Sequence, residues 1–284
     1  MNTKTLSSWK IVLGIILSIL SLIIGQTIAI LFAEICLKIG LADWISNLLM
    51  SFIYVGVVML ELYFLSKIMF KSDLKDFQIL PIKPSLRYMF FSLALVGFVI
   101  VLLIFSKGQF ISNEVRNKTT IIITSVFYYG LATGIVEESI FRGMIFGLLE
   151  KKYGKLPAII FPSLVFGLLH ILGNKLEVVD IVQLILAGTS VGVLFSLIRI
   201  ENNSIWGSAI VHGIWNIIFV GRIINFDINK DPQSIYNFIL SSKSQLITGG
   251  NFGVEASLPA ILAYILFSSL VFYWIKNKNI KRIK

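Results

Sequence analysis

Eight apolar runs, most close to 20 residues long and separated by short polar or basic turns, leave this chain very few folds. About 20 consecutive apolar residues are needed to cross the hydrocarbon of a bilayer as a helix. The runs fall at roughly 11–34, 46–69, 88–106, 121–149, 157–173, 180–199, 204–221 and 258–275. Composition agrees: 56% of the 284 residues are hydrophobic and 14% charged, against about 25% charged in soluble domains. The expected fold is therefore all-α, a polytopic transmembrane bundle of about eight spans. No internal repeat or low-complexity stretch divides it. Its organisation reads as three N-terminal spans over 1–106, a four-span core over 120–221, and an extracytoplasmic loop, last span and basic tail over 222–284.

The net charge of +10 does not point to nucleic acid, because the basic residues sit in inter-helix turns and at the C-terminus. They are concentrated at the N-terminus, in 67–87, in 151–155 and in the tail from Lys276 onward. By the positive-inside rule this places both termini in the cytoplasm of a multi-pass cell-membrane protein. Lipids are then obligatory partners, and the tail is a topology determinant. The first run is too long for the apolar region of a signal peptide and lacks a small-residue cleavage site after it. Cys36 is the single cysteine, so neither a disulfide framework nor a thiolate metal site is available, and packing is its expected role.

One segment violates the apolar rule. Glu137-Glu138-Ser139-Ile140-Phe141-Arg142 puts three charges near the middle of the fourth run, where each costs ~2.5–3.5 kcal/mol on insertion scales. Glu138 and Arg142 are four residues apart on a helix and can neutralise each other. Glu137 has only apolar neighbours at that spacing, so its partner must come from another helix. That leaves Glu137 as the free acid or base.

Both histidines of the chain also lie inside apolar runs: His170 in Phe166-Gly167-Leu168-Leu169-His170, and His212 in His212-Gly213-Ile214-Trp215-Asn216. The turn at 151–155 makes the fourth and fifth runs a helical hairpin. Glu137 and His170 are equidistant from its centre, so both stand roughly 20–25 Å along their helices. His212 and, one turn further, Asn216 approach the same level from the seventh run. Two chemistries suit such a cluster. His212 and Asn216 could donate hydrogen bonds to an oxyanion while Glu137 activates a water. Alternatively, Glu137, His170 and His212 are a familiar ligand set for Zn2+. There is no His-Glu-x-x-His motif, which excludes the soluble zincin arrangement. Small residues near the histidines (Gly167, Gly207, Ser208, Ala209, Gly213) permit close helix approach.

Glu-Glu-x-x-x-Arg, Phe-x-x-x-His and His-x-x-x-Asn, in that order on successive spans, resemble the three motifs of the CPBP family, the CAAX-prenyl-protease and Abi (bacteriocin-processing and immunity) intramembrane proteases. The resemblance covers about 120–220. It implies that Glu137 and His170 activate a water for attack on a peptide carbonyl. His212 and Asn216 would hold the oxyanion or contribute to a metal site, and Glu138 and Arg142 would support the geometry. It leaves open a glutamate or a metallo mechanism, the latter with Zn2+. The substrate expected is a membrane-associated peptide or protein, in bacterial peptide or bacteriocin maturation, immunity or signalling. The competing reading from a different class is a non-proteolytic membrane scaffold that sequesters a peptide or regulates a sensor kinase. The connection 222–257 reads either as a lid over the site or as a variable loop.

Overall fold

The structure is a computed structural model that describes residues 7–283. Six of its helices are long and apolar enough to cross a membrane. These are α1 (Ser8–Lys38), α2 (Asp43–Met69), α3 (Leu86–Phe105), α4 (Lys118–Tyr153), α6 (Val178–Asn202) and α8 (Leu258–Ile283). Two shorter helices complete the expected order: α5 (Lys155–Leu169, 15 residues) and α7 (Trp206–Phe219, 14 residues). At ~1.5 Å per residue a helix of that length covers little more than 20 Å, less than a bilayer core of ~30 Å. Both short helices carry site residues, and α5 stops one residue before His170.

The bundle is packed in the manner that lipid imposes. On α1 the buried side is Gly14, Ser18, Ser21, Gly25, Ala29, Ala33 and Cys36 together with Ile11 and Ile15, while Ile16, Ile23 and Leu31 stay exposed. Between helices in lipid the large apolar side chains gain little by turning inward, and small residues let backbones approach. A β-carbon on Gly25 would sit 2.4 Å from Val58 of α2, and one on Gly188 of α6 would sit 2.5 Å from the Cα of Gly167 on α5.

α4 is one continuous helix with two π-helical stretches, Thr124–Ala132 and Ser139–Ile145. Such widened turns are uncommon and occur often at functional sites. The second follows directly on the two glutamates. It is supported from below by the segment after α2, whose Phe77 and Ile79 fill the space left by Gly147 and Gly143. Trp206 Nε1 donates to the carbonyl of Ile79 at 2.8 Å, which fixes the start of α7 to the same segment.

The end of the bundle nearest the 151–155 turn is tied by ions. Glu201 of α6 accepts from Tyr88 Oη at 2.5 Å and Arg87 Nη1 at 3.1 Å, both on α3, and pairs with Lys278 of α8 at 3.6 Å. The other end carries, among the described residues, a departure from all-helix. A three-stranded sheet is formed by β1 (Gly108–Ser112), β2 (Ile224–Asp227) and β3 (Tyr236–Leu240), in the order β1-β3-β2. β1 runs antiparallel to β3 from Gly108↔Leu240 to Ser112↔Tyr236, and β2 runs parallel to it. The sheet joins the end of α3 to the connection after α7, so these two lie on one face of the bundle.

Candidate active site

Glu138 and Arg142 are wholly buried, and Arg142 Nη1 donates to Glu138 Oε1 at 2.9 Å. Two more guanidinium nitrogens, Nε and Nη2, have no hydrogen-bond partner among the described residues. They are packed instead between aromatic faces, with Phe166 and Phe195 centroids 4.8 and 5.0 Å from the Arg142 Cζ. A desolvated cation over two rings is a favourable placement. It lets α4 hold α5 and α6 at fixed distance.

The same Glu138 oxygen lies 3.1 Å from His212 Nδ1. A carboxylate only accepts, so Nδ1 carries the hydrogen and the neutral ring leaves Nε2 bare. The His212 ring stacks on Phe195 at 4.9 Å and meets the edge of Phe166 at 5.9 Å. Its Nε2 is 3.8 Å from Glu137 Oε2, a gap too long for a direct hydrogen bond and of the kind a water bridges. Close packing brings the two helices together here: a β-carbon on Gly134 of α4 would lie 2.9 Å from the carbonyl of Ala209 on α7.

Glu137 and His170, placed at equal depth by the 151–155 turn, face one cavity without touching directly. His170 Nδ1 donates to the carbonyl of Phe166 at 2.7 Å, and no hydrogen bond joins it to Glu137 among the described residues. The reason lies in the backbone. α5 ends at Leu169, its last carbonyls lack helical donors, and the ring of His170 supplies one. His170 and Glu137 nonetheless face the same space, both lining a cavity of about 400 Å³ and a smaller one of about 270 Å³. Like His212, His170 keeps Nδ1–H engaged and Nε2 without a partner. With Nδ1–H held by Glu138, the neutral His212 ring presents Nε2 towards Glu137. Asn216 donates one amide hydrogen to the Tyr129 carbonyl at 3.0 Å, and its second amide hydrogen remains available in a side chain that lines the larger cavity.

Bare Nε2 atoms with anchored Nδ1–H groups are also what metal-ligating histidines show. The carboxylate and imidazoles do not close on a common point, however: among the described residues no three His, Cys, Asp or Glu side chains are grouped so as to hold a metal ion. Glu137, His170 and His212 thus line one cavity without forming, among the described residues, a grouped ligand set for Zn2+.

Sequence reading missed part of the lining. Tyr54, Tyr128, Phe252 and Glu255 also face the larger cavity, and Trp215 Nε1 donates to Glu255 Oε1 at 3.1 Å. Glu255 is an acidic residue three positions before the last span, a signal that was present but has no helical partner to give it meaning.

Residues 119–218 match the family model of type II CAAX prenyl endopeptidases, Rce1-like. This segment is similar to the CAAX-protease family. No curated protein and no solved structure shows significant similarity to the chain. The matched segment runs through α4 to α7 and holds Glu137, Glu138, Arg142, His170, His212 and Asn216. In general terms the match supports an intramembrane endopeptidase of CAAX type, and the six long apolar helices fit a multi-pass membrane protein.

Proposed function

We propose that the chain hydrolyses a peptide bond of a membrane-associated peptide or protein by a glutamate mechanism. A water between Glu137 and the imidazoles of His170 and His212 gives a proton to the Glu137 carboxylate and attacks the carbonyl carbon. The free amide hydrogen of Asn216 donates to the oxyanion. Collapse breaks the C–N bond as Glu137 returns the proton to the leaving amine. Glu138, fixed by Arg142, holds His212 in the tautomer that keeps Nε2 bare. The observation that carries this reading is the convergence of Glu137, His170, His212 and Asn216 on one cavity within the family-matched segment.

The setting we propose is bacterial peptide or bacteriocin maturation, immunity or signalling, where a short hydrophobic peptide must be cut at the membrane. The test compares new peptide termini in membranes and medium of cells carrying the wild-type chain or Glu137→Ala. Termini present only with the wild type support hydrolysis. Identical peptide sets, with any phenotype surviving the substitution, would instead make the chain a scaffold.

A further inference from the structure

The segment 245–256 is a fixed roof on the larger cavity. Asn251 Nδ2 donates to the buried Asp180 at the start of α6, 2.8 Å away. Gln183, one turn on, donates to the carbonyls of Gln245 and Ala256 at 3.2 and 3.3 Å. Gln245 in turn donates to Glu177 at 3.1 Å. Gly250 has φ +61°, and a β-carbon there would collide with Asp180 Oδ1, so the path of this loop depends on that glycine. The ring of Phe252 comes to rest 6.2 Å from that of His170.

What this roof delivers is a second carboxylate. Glu255 Oε1 accepts from Trp215, its backbone carbonyl accepts from Tyr264 Oη at 3.4 Å, and Oε2 has no hydrogen-bond partner among the described residues. The cavity that Glu255 and Glu137 share has no Lys or Arg in its lining. Arg142 is committed to Glu138. With the Nδ1–H groups of His170 and His212 engaged elsewhere, two carboxylates in a partly apolar space without a Lys or Arg leave room for a positive charge from the substrate. The rings of Trp215 and Tyr264, 5.0 Å apart beside Glu255, would add cation–π attraction.

We propose that Glu255 is a specificity-determining residue that receives a lysine or arginine side chain of the substrate close to the cleaved bond. The inference rests on the endopeptidase reading and names a feature of its substrate. A cation that pairs with Glu255 also sets the register of the peptide against Glu137 and His170, because the roof is pinned to α6.

The test uses the full chain in liposomes with a library of lipid-anchored peptides, scanned at each position with Lys, Arg, norleucine, Nε-acetyl-lysine and Glu. Cleavage is mapped by mass spectrometry. The wild type should prefer Lys or Arg over norleucine and acetyl-lysine at one position flanking the cut, by roughly ten- to hundred-fold in kcat/KM. In Glu255→Gln, which keeps an acceptor for Trp215 but not the charge, that ratio should fall towards one; Glu255→Asp should retain a preference. A role confined to holding Trp215 would lower all peptides alike and leave the ratio where it was. A wild-type enzyme indifferent to charge, or a preference that persists in Glu255→Gln, overturns the proposal while the endopeptidase reading stands. A wild type that cleaves no peptide takes down both.

Discussion

His212 and Arg142 meet on a single oxygen, Oε1 of Glu138, at 3.1 and 2.9 Å. This shared acceptor joins the helix that carries Glu137 to the helix that carries His212. Glu138 is thereby both the neutralising partner that the sequence suggests and the group that sets which nitrogen of His212 is bare.

Removing the cation should be costly. Arg142→Met leaves Glu138 buried without its partner, and breaking a buried pair from one side typically costs about 3–5 kcal/mol. A large fall in the thermal midpoint in detergent is expected, with much of it recovered in Glu138→Gln/Arg142→Met. Equal stability of Arg142→Met and wild type would show that the pair does not carry the local fold.

Glu138→Gln alone should retain the shape and change the chemistry. Because Arg142 and His212 meet one oxygen, the amide keeps its carbonyl there and loses only the negative charge that makes Glu138 a strong acceptor for His212 Nδ1–H. Loss of such an outer partner typically costs about 10–100-fold, here expected in kcat with KM little changed. A change confined to KM would place Glu138 in substrate binding instead.

Helix approach at the site is tested by Gly134→Ala. The added methyl group would meet the Ala209 carbonyl at 2.9 Å, and overpacking of this kind costs about 1–3 kcal/mol. Gly56→Ala on α2 meets nothing within 4 Å and should be neutral or gain about 0.5–1 kcal/mol in helix stability. Thermal midpoints of the two variants should move in different directions; a common shift would contradict the packing account.

Glu255 gives a pH signature. Enclosure in the cavity raises its carboxyl above the usual carboxylate range, against the lowering effect of the Trp215 hydrogen bond. Where the folded pKa lies above the unfolded one, the folded state holds the proton that the unfolded chain has already lost. Stability then falls as pH rises through the window between the two values. The thermal midpoint of Glu255→Gln minus that of wild type should therefore be larger at pH 8 than at pH 4.5. A difference that stays constant or shrinks contradicts this.

Most of the helical path was legible because hydropathy registers the solvent of each segment directly, and a bilayer sets the length of each span. The run at 121–149 corresponds to α4, and that at 204–221 to α7, with boundaries displaced by a few residues. The Glu138–Arg142 pair was legible because it needs only the geometry of one helix. The partner of His170 was not, since it depends on where α5 stops and so on which carbonyls are left open. Glu255 was further out of reach. Its entry into the cavity follows from Asp180, Gln183 and Gly250, residues that steer a loop through contacts with no periodic signature. The pairing of β1 with β3 similarly joins segments more than a hundred residues apart.

The most direct measurement is the rate of peptide-bond cleavage by purified Glu137→Gln in liposomes, on a peptide that the wild type cuts, with folding verified by an unchanged thermal profile. Loss of at least about 100-fold in kcat, at the low end of what a general base contributes, is the result expected if Glu137 moves the proton of the attacking water. A variant that cleaves within a few-fold of the wild type would contradict the account at its centre.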